Sequence, residues 1–435
     1  MRLAGFSRSL IAPALIASAV AIASLIPQPK EFLVTNGSYP AVVCPGALAG
    51  STEQITLPAT NLLVRTISTK STVFKRQKSM IMPGSSLPIL VSGNPGSEVA
   101  FESISGSNIA ATVCEVGGSD QWFIGGSAGV TSQSILEIVN SGLSDSTVQI
   151  FPFNSKVALA PISITVRANS DRQIKLAAIV PGYESVALHV VTESGRVTSF
   201  LLDHRKSGLK DLGSSFVFPV AAPIRTSYIA GLYASASKAR STMRFLVPGN
   251  ISANVHLTIF SGDGTFTPIG FDSLSVPHQK VVDLPLPKLA LSGSFGIEVS
   301  SDQPILAATL TRTSVGGGDT AWANQLTPFS RFRVNLGGRT ANFFFVGKSL
   351  ALNAQWRDSK GSSQKILITG NSSALWSPID PLGVVTFTPL TKVPIYGGAI
   401  LSSSTGGLTY LPLLSNALVS GAHQPTVDIR TLARH

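Results

Sequence analysis

The sequence predicts an all-β protein, tandem β-sandwich-like repeats following a single N-terminal apolar helix. Three observations carry that expectation. Short alternating or β-branched segments, bounded by Gly, Pro, Asn, Asp and Ser, run the length of the chain, and no 3.6-residue periodicity appears after the N-terminal helix. Gly 39 and Pro 27 supply turns without a collagen-like period. Charged residues are only 13% against 44% hydrophobic, which excludes a coiled coil or a charge-rich disordered chain and leaves Ser and Thr hydroxyls to coat the surface. At 435 residues the chain exceeds one core, since domains run to about 100–150 residues each.

The N-terminal helix is an address label. Arg2 and Arg8 precede an uncharged run from Ser9 to Gln28, the pattern of an export signal. Ala17-Ser18-Ala19 and Ala21-Ile22-Ala23 both suit cleavage, yet the run nearly reaches bilayer-spanning length, so residues 1–29 are a signal peptide or membrane anchor, with the anchor favoured. The rest of the chain is then extracytoplasmic, either secreted or held on the cell membrane by that helix. In such a compartment Cys44 and Cys114, the only two cysteines, are expected to pair.

Residues 30–130 are read as an N-terminal β region closed by that disulfide. Beyond it the chain repeats. Ser134–Val139, a turn, then Thr147–Phe151 resembles Thr242–Val247, a turn, then Val255–Phe260, and each unit reads as a hairpin. Ser185–Glu193 before Val197–Leu201 matches Ser294–Asp302 before Ile305–Thr309, with a weaker third copy at Gly398–Ser403 and Leu408–Leu411. A period of roughly 100 residues suits tandem sandwiches, because propeller blades recur at about 40–50. The expected repeats are 131–210, 211–330 and a degenerate 331–420, with seams near Ser207–Ser214 and Thr327–Gly338, and 421–435 is a C-terminal tail.

Val43-Cys44-Pro45-Gly46, then Thr112-Val113-Cys114, then Gln121-Trp122-Phe123-Ile124-Gly125-Gly126, with the repeats and Gly318-Asp319-Thr320-Ala321-Trp322 beyond, resemble an uncharacterised family of actinobacterial exported envelope proteins, a domain of unknown function. The resemblance covers nearly the whole chain after the leader, and its most specific parts are the Cys-Pro-Gly and Trp-Phe-x-Gly-Gly signatures. It implies an exported β-rich protein with no established activity, placed beside cell-envelope glycosyltransferases.

The formal charge of +11 suits an acidic wall polymer, and its densest basic stretch holds Arg65, Lys70, Lys75, Arg76 and Lys78, the polyanion-binding candidates. That stretch lacks the aromatic interleaving of single-strand binding, so no nucleic-acid partner is expected. An edge strand guarded by lysines is its bland reading. Gly125-Gly126-Ser127-Ala128-Gly129 fits G-x-S-x-G, but a strand rather than a helix follows, so Ser127 is read as part of a turn and no catalytic residue is assigned. Asp120, Glu137, Asp145, Asp272, Glu298, Asp319 and Asp358 supply carboxylates for a glycosidase without an evident pair. Asp319 with Trp322 is the glycan-contact candidate, a carboxylate beside an aromatic platform, against a packing role for the Trp. Scattered histidines and the lone cysteine pair give no metal site and no cofactor. The expected function is a non-enzymatic envelope protein that binds or scaffolds wall polymer or an envelope protein partner. The alternative is an enzyme or accessory subunit acting on envelope glycans.

Overall fold

The computed structural model describes residues 41–414, apart from 48–50, 93–98, 236, 290, 315–317 and 359. The proposed leader at 1–29 and the tail at 421–435 lie outside the described residues. Among the described residues no helix is long and apolar enough to cross a membrane.

Four sandwiches share one strand plan. The first holds β1 (Val42–Cys44), β2 (Thr52–Thr56), β3 (Leu62–Thr66), β4 (Lys75–Gln77), β5 (Ile81–Pro83), β6 (Ile89–Val91), β7 (Ala100–Ser105) and β8 (Asn108–Val113). Its sheets run β1-β6-β3-β4 and β5-β2-β7-β8. The second holds β9 (Asp120–Phe123), β10 (Gln133–Asn140), β11 (Ser146–Asn154), β12 (Ile162–Val166), β13 (Ser170–Lys175), β14 (Val186–Ser194), β15 (Thr198–Ser207) and β16 (Lys210–Val217), with a short β17 (Pro219–Val220) added beside β9. Its sheets run β12-β11-β14-β9-β17 and β13-β10-β15-β16, the same order.

The third is built from β18 (Ile224–Ser235), β19 (Ala239–Leu246), β20 (Ala253–Ser261), β21 (Gly264–Phe266), β22 (Leu274–Val276), β23 (Val281–Pro285), β24 (Ser292–Thr313) and β25 (Asp319–Asn324). The fourth is built from β26 (Phe332–Asn335), β27 (Thr340–Gly347), β28 (Leu350–Asp358), β29 (Ser363–Gly370), β30 (Ser373–Trp376), β31 (Gly383–Pro389), β32 (Ile395–Ser402) and β33 (Leu408–Pro412), in sheets β26-β31-β28-β29 and β30-β27-β32-β33.

The all-β class and the repetition hold, while four details of the sequence reading are corrected. The supposed hairpins are arches: β10 pairs with β13 and β15, whereas β11 pairs with β12 and β14 in the other sheet, and β19 and β20 part in the same way. Alternation tells which face of a strand is buried but not which strand lies beside it. Ser294–Thr309 is a single strand. The first part of β24 pairs with β18 and β20, and the part after Pro304 with β19 and β25. Pro304 lacks a ladder donor and marks the crossing from sheet to sheet, which β14 and β15 make through a break at Gly195. Gly398–Leu411 is displaced by one strand from the copy assigned to it, because β32 and β33 pair with one another as β15 and β16 do. Finally, Ser207–Ser214 is the β15–β16 hairpin rather than a seam, and the second and third sandwiches divide at 221–223.

The last strands of the four sandwiches meet: β8 lies beside β16, β16 beside β25, β25 beside β33, and β33 beside β8. Each is a sheet edge, buried along β8, β25 and β33 and over the second half of β16, so its free backbone donors there need partners that water cannot supply. Side chains supply them. Ser215 Oγ accepts from Trp322 N at 2.8 Å and Thr409 Oγ1 from Ala111 N at 2.9 Å. Asp319 Oδ2 accepts from Ile109 N and Leu408 N at 3.1 and 2.9 Å, and its Oδ1 from Thr320 N at 2.8 Å. Between the third and fourth sandwiches Gly231, at φ +79°, faces Gly398 so closely that a Cβ on either would strike the other's backbone or its neighbour's. The Cys44–Cys114 disulfide joins β1 to the residue that follows β8, closing a 70-residue separation.

Candidate functional site

A cavity of about 360 Å³ opens between the second and third sandwiches. Strand alternation builds one wall of it. On β19 the residues Thr242 and Arg244, on β24 Leu310 and Arg312, and on β25 Trp322 stand at every second position, and register aligns Thr242 with Leu310 and Leu310 with Trp322. Arg205 and Lys206 from β15, with Glu184 before β14, form the facing wall.

The Trp-Phe-x-Gly-Gly signature shapes the floor. A Cβ on Gly125 would come within 2.7 Å of Val217 and 3.2 Å of the Trp322 ring. Gly126, at φ +99°, turns its carbonyl toward two arginines, accepting from Arg244 Nη1 at 2.7 Å and Arg205 Nη2 at 3.3 Å. Arg244 is saturated. Its Nε and Nη2 reach the two Asp283 oxygens at 2.7 and 2.6 Å, and further bonds go to the Val186 and Glu184 carbonyls. One side chain of the third sandwich thus satisfies three backbone carbonyls of the second. Its guanidinium also lies 4.8 Å from the centroid of Trp322, whose face attracts a cation.

Asp203 is wholly buried behind this layer and accepts four bonds, from Ser127 Oγ, Ser134 Oγ, Arg205 Nε and Trp322 Nε1, at 3.1, 2.7, 2.6 and 2.7 Å. Burial opposes its charge, but the Arg205 guanidinium and the donors from Trp322 and Ser134 outweigh burial and hold the carboxyl below its ordinary value. Asp283 follows the same balance: burial works against the anion, and Arg244 with Ser185 prevails. Arg312 stands at the rim with no hydrogen bond or ion pair among the described residues, and partial burial and the nearby Arg205 lower its pKa.

The sequence candidates fall elsewhere or take other roles. Asp319 and Trp322 are each 1% exposed, so neither offers a surface to a sugar. Asp319 caps the central strands, and Trp322 is a cleft wall whose indole N–H is committed to Asp203. Arg65, 8% exposed, is no polyanion contact: its guanidinium bonds Asn169 and the Ser141 carbonyl and so ties the first sandwich to the second. Lys70, Lys75, Arg76 and Lys78 are exposed along and beside β4, an edge strand. Ser127 is fully buried with its hydroxyl on Asp203, and β10 follows it.

Four of the remaining carboxylates have partners among the described residues. Asp120 pairs with His189 at 2.7 Å, Asp145 accepts from Ala168 N, and Asp358 caps the turn at Lys360 and Ser362. Glu137, buried, accepts from Gly46 N at 3.0 Å, which places the Cys-Pro-Gly signature at the first interface. Burial raises Glu137, Glu115 and Asp319 to about 7 each. Among the described residues no cluster of three or more His, Cys, Asp or Glu side chains is placed to hold a metal ion. Arg205, Arg244, Arg312 and Glu184 were not singled out from sequence. The available signal was that Arg244 on β19 and Arg312 on β24 fall at positions of the same parity on paired strands and so share one face.

Residues 94–365 match the family of unknown function DUF5719, more than half of the chain, and the chain belongs to that family. The match starts before β7 and ends within β29, so it takes in the second and third sandwiches whole. None of the curated proteins compared with the chain matches it. Among solved structures it is similar to a "tetra-tandem repeat in extending region of large adhesion protein", at 10% identity over 87% of this chain and 95% of that one, with a TM-score of 0.13. A superposition at that score carries no argument about this protein.

Proposed function

We propose that this DUF5719 protein is a non-enzymatic, exported or membrane-anchored envelope protein that binds wall polymer or an envelope protein partner, with the leader at Ser9–Gln28 as its tether. The disulfide supports the compartment, since such bonds persist where the surroundings are oxidising. The observation that carries the reading is the state of the carboxylates in the cleft. A glycosidase needs a carboxylic acid kept protonated opposite a second carboxylate. Asp283, which lines this cleft, and Asp203, buried behind it, are instead held as anions by arginines, and the acids raised to about 7 do not line it. Cationic capacity is left at the rim, on Arg312 and Lys206, for an acidic group of the partner.

The alternative, an enzyme or accessory subunit acting on envelope glycans, draws on Glu184 and Asp283 lining the same cavity. Retention of the secreted protein on purified wall fractions separates the two. Binding that weakens with salt and with Arg312→Glu plus Lys206→Glu, without shortening of the polymer, is the expected result. Release of new glycan ends that stops with Glu184→Gln would overturn the proposal.

A further inference from the structure

The outer face of the β26-β31-β28-β29 sheet carries two cations, Arg333 and Arg357, that have no ion-pair partner among the described residues. Inward positions of these strands, among them Phe332, Val334, Leu352, Ala354, Trp356, Val385 and Phe387, are buried in the core. Alternation sends the others outward. Register then sets Arg333, Thr386, Gln355 and Lys365 in one row across all four strands, with Arg357 two residues beyond Gln355 and aligned with Val384 and Ser363. Asn353 and Thr388 form the next row out. No outward position of the four strands holds Asp or Glu.

Between these residues lies a cavity of about 200 Å³, lined by Arg331, Arg333, Gln355, Arg357, Val384 and Thr386. Arg333 and Arg357 make no hydrogen bond or ion pair among the described residues. Partial burial lowers the pKa of Arg333, and the charges acting on it are those of Arg331 and Arg357, both of its own sign. Arg333 and Arg357 are like charges across a hollow and repel one another, with Arg331 adding to that repulsion on Arg333. An anion seated in the hollow would attract each of these guanidinium groups and offset that repulsion. Guanidinium forks on strands two spacings apart, about 10 Å, would engage successive acidic groups.

We propose that this face is a binding site for an acidic glycan chain, with Arg333 and Arg357 gripping its carboxylate or phosphate groups and Gln355, Thr386 and Asn353 bonding to its hydroxyls. The side chains favour a glycan over single-stranded nucleic acid. Short amides and hydroxyls fill the rows between the cations, and the aromatics of these strands, Phe332, Trp356 and Phe387, point inward and offer no base a stacking platform. The site is separate from the cleft, so either can fail alone.

The test is affinity of the full secreted chain for polygalacturonate and for a phosphomannan, with neutral dextran and a single-stranded DNA of equal charge as comparators. Arg333→Gln plus Arg357→Gln is expected to weaken binding of an acidic glycan at least tenfold and to flatten its salt dependence, because each charge-assisted bond contributes roughly a factor of ten. Lys75→Gln plus Arg76→Gln on β4 removes the same charge and should leave binding within twofold. Arg333→Lys plus Arg357→Lys, which keeps the charge and loses the forks, should fall between. Which glycan responds identifies the acidic group. Unchanged affinity in the double Gln variant, an equal loss in the β4 variant, or tighter binding of the DNA would each overturn the inference.

Discussion

Arg244 and Arg333 occupy comparable positions, mid-strand on a sheet face beside a cavity, and have opposite surroundings. Arg244 has a bidentate carboxylate, three carbonyls and an indole face. Arg333 has two other arginines. A cation whose every donor is used joins two sandwiches and has nothing left for a ligand. A cation left among its own kind weakens the fold slightly and is available. The cavity volumes do not show this, since the larger one surrounds the saturated arginine.

The largest expected effect breaks the joint. Arg244→Met leaves the Gly126 and Val186 carbonyls without this donor and Asp283 without its partner, and should cost about 3–5 kcal/mol in denaturant unfolding. The covalent counterpart is next: Cys44→Ala plus Cys114→Ala should cost about 2–5 kcal/mol, read the same way.

Acidity separates the two kinds of buried carboxylate. Glu137 and Asp319 are raised to about 7, so the folded state holds their protons more tightly than the unfolded chain does. Their contribution is complete below the unfolded value and is lost as pH rises toward 7. Asp203 and Asp283 are lowered, so theirs is complete above the unfolded value and is lost in acid. The melting temperature should therefore fall between pH 5 and pH 8, and Glu137→Gln should make that fall shallower. The smallest effect falls on the unpaired arginines: Arg333→Gln plus Arg357→Gln should move unfolding by no more than about 0.5 kcal/mol, and toward higher stability if it moves at all.

Strand segments and the long repeat were legible because period-2 burial is written directly into β11, β20 and β28. The first sandwich was not recognised as a copy. β1, β4, β5 and β6 are three residues each, too short to show alternation. Sheet membership was not legible either, since an arch and a hairpin share the same strands and similar turns. Of the site, the signature glycines were visible but not their purpose: Gly126 matters for the direction of its carbonyl, which depends on where Arg244 arrives from 118 residues away. Asp319 drew notice as a carboxylate beside Trp322, and its actual partners, Ile109 and Leu408, come from two other sandwiches.

The division of arginines into joints and grips is tested most directly by measuring unfolding free energy and polygalacturonate affinity on the same two variants. Arg244→Met should lose several kcal/mol of stability and, at a temperature where it remains folded, bind within twofold of the unaltered protein. Arg333→Gln plus Arg357→Gln should unfold as the unaltered protein does and bind at least tenfold more weakly. Stability and affinity falling together in both variants, or affinity lost only with Arg244, would contradict the division.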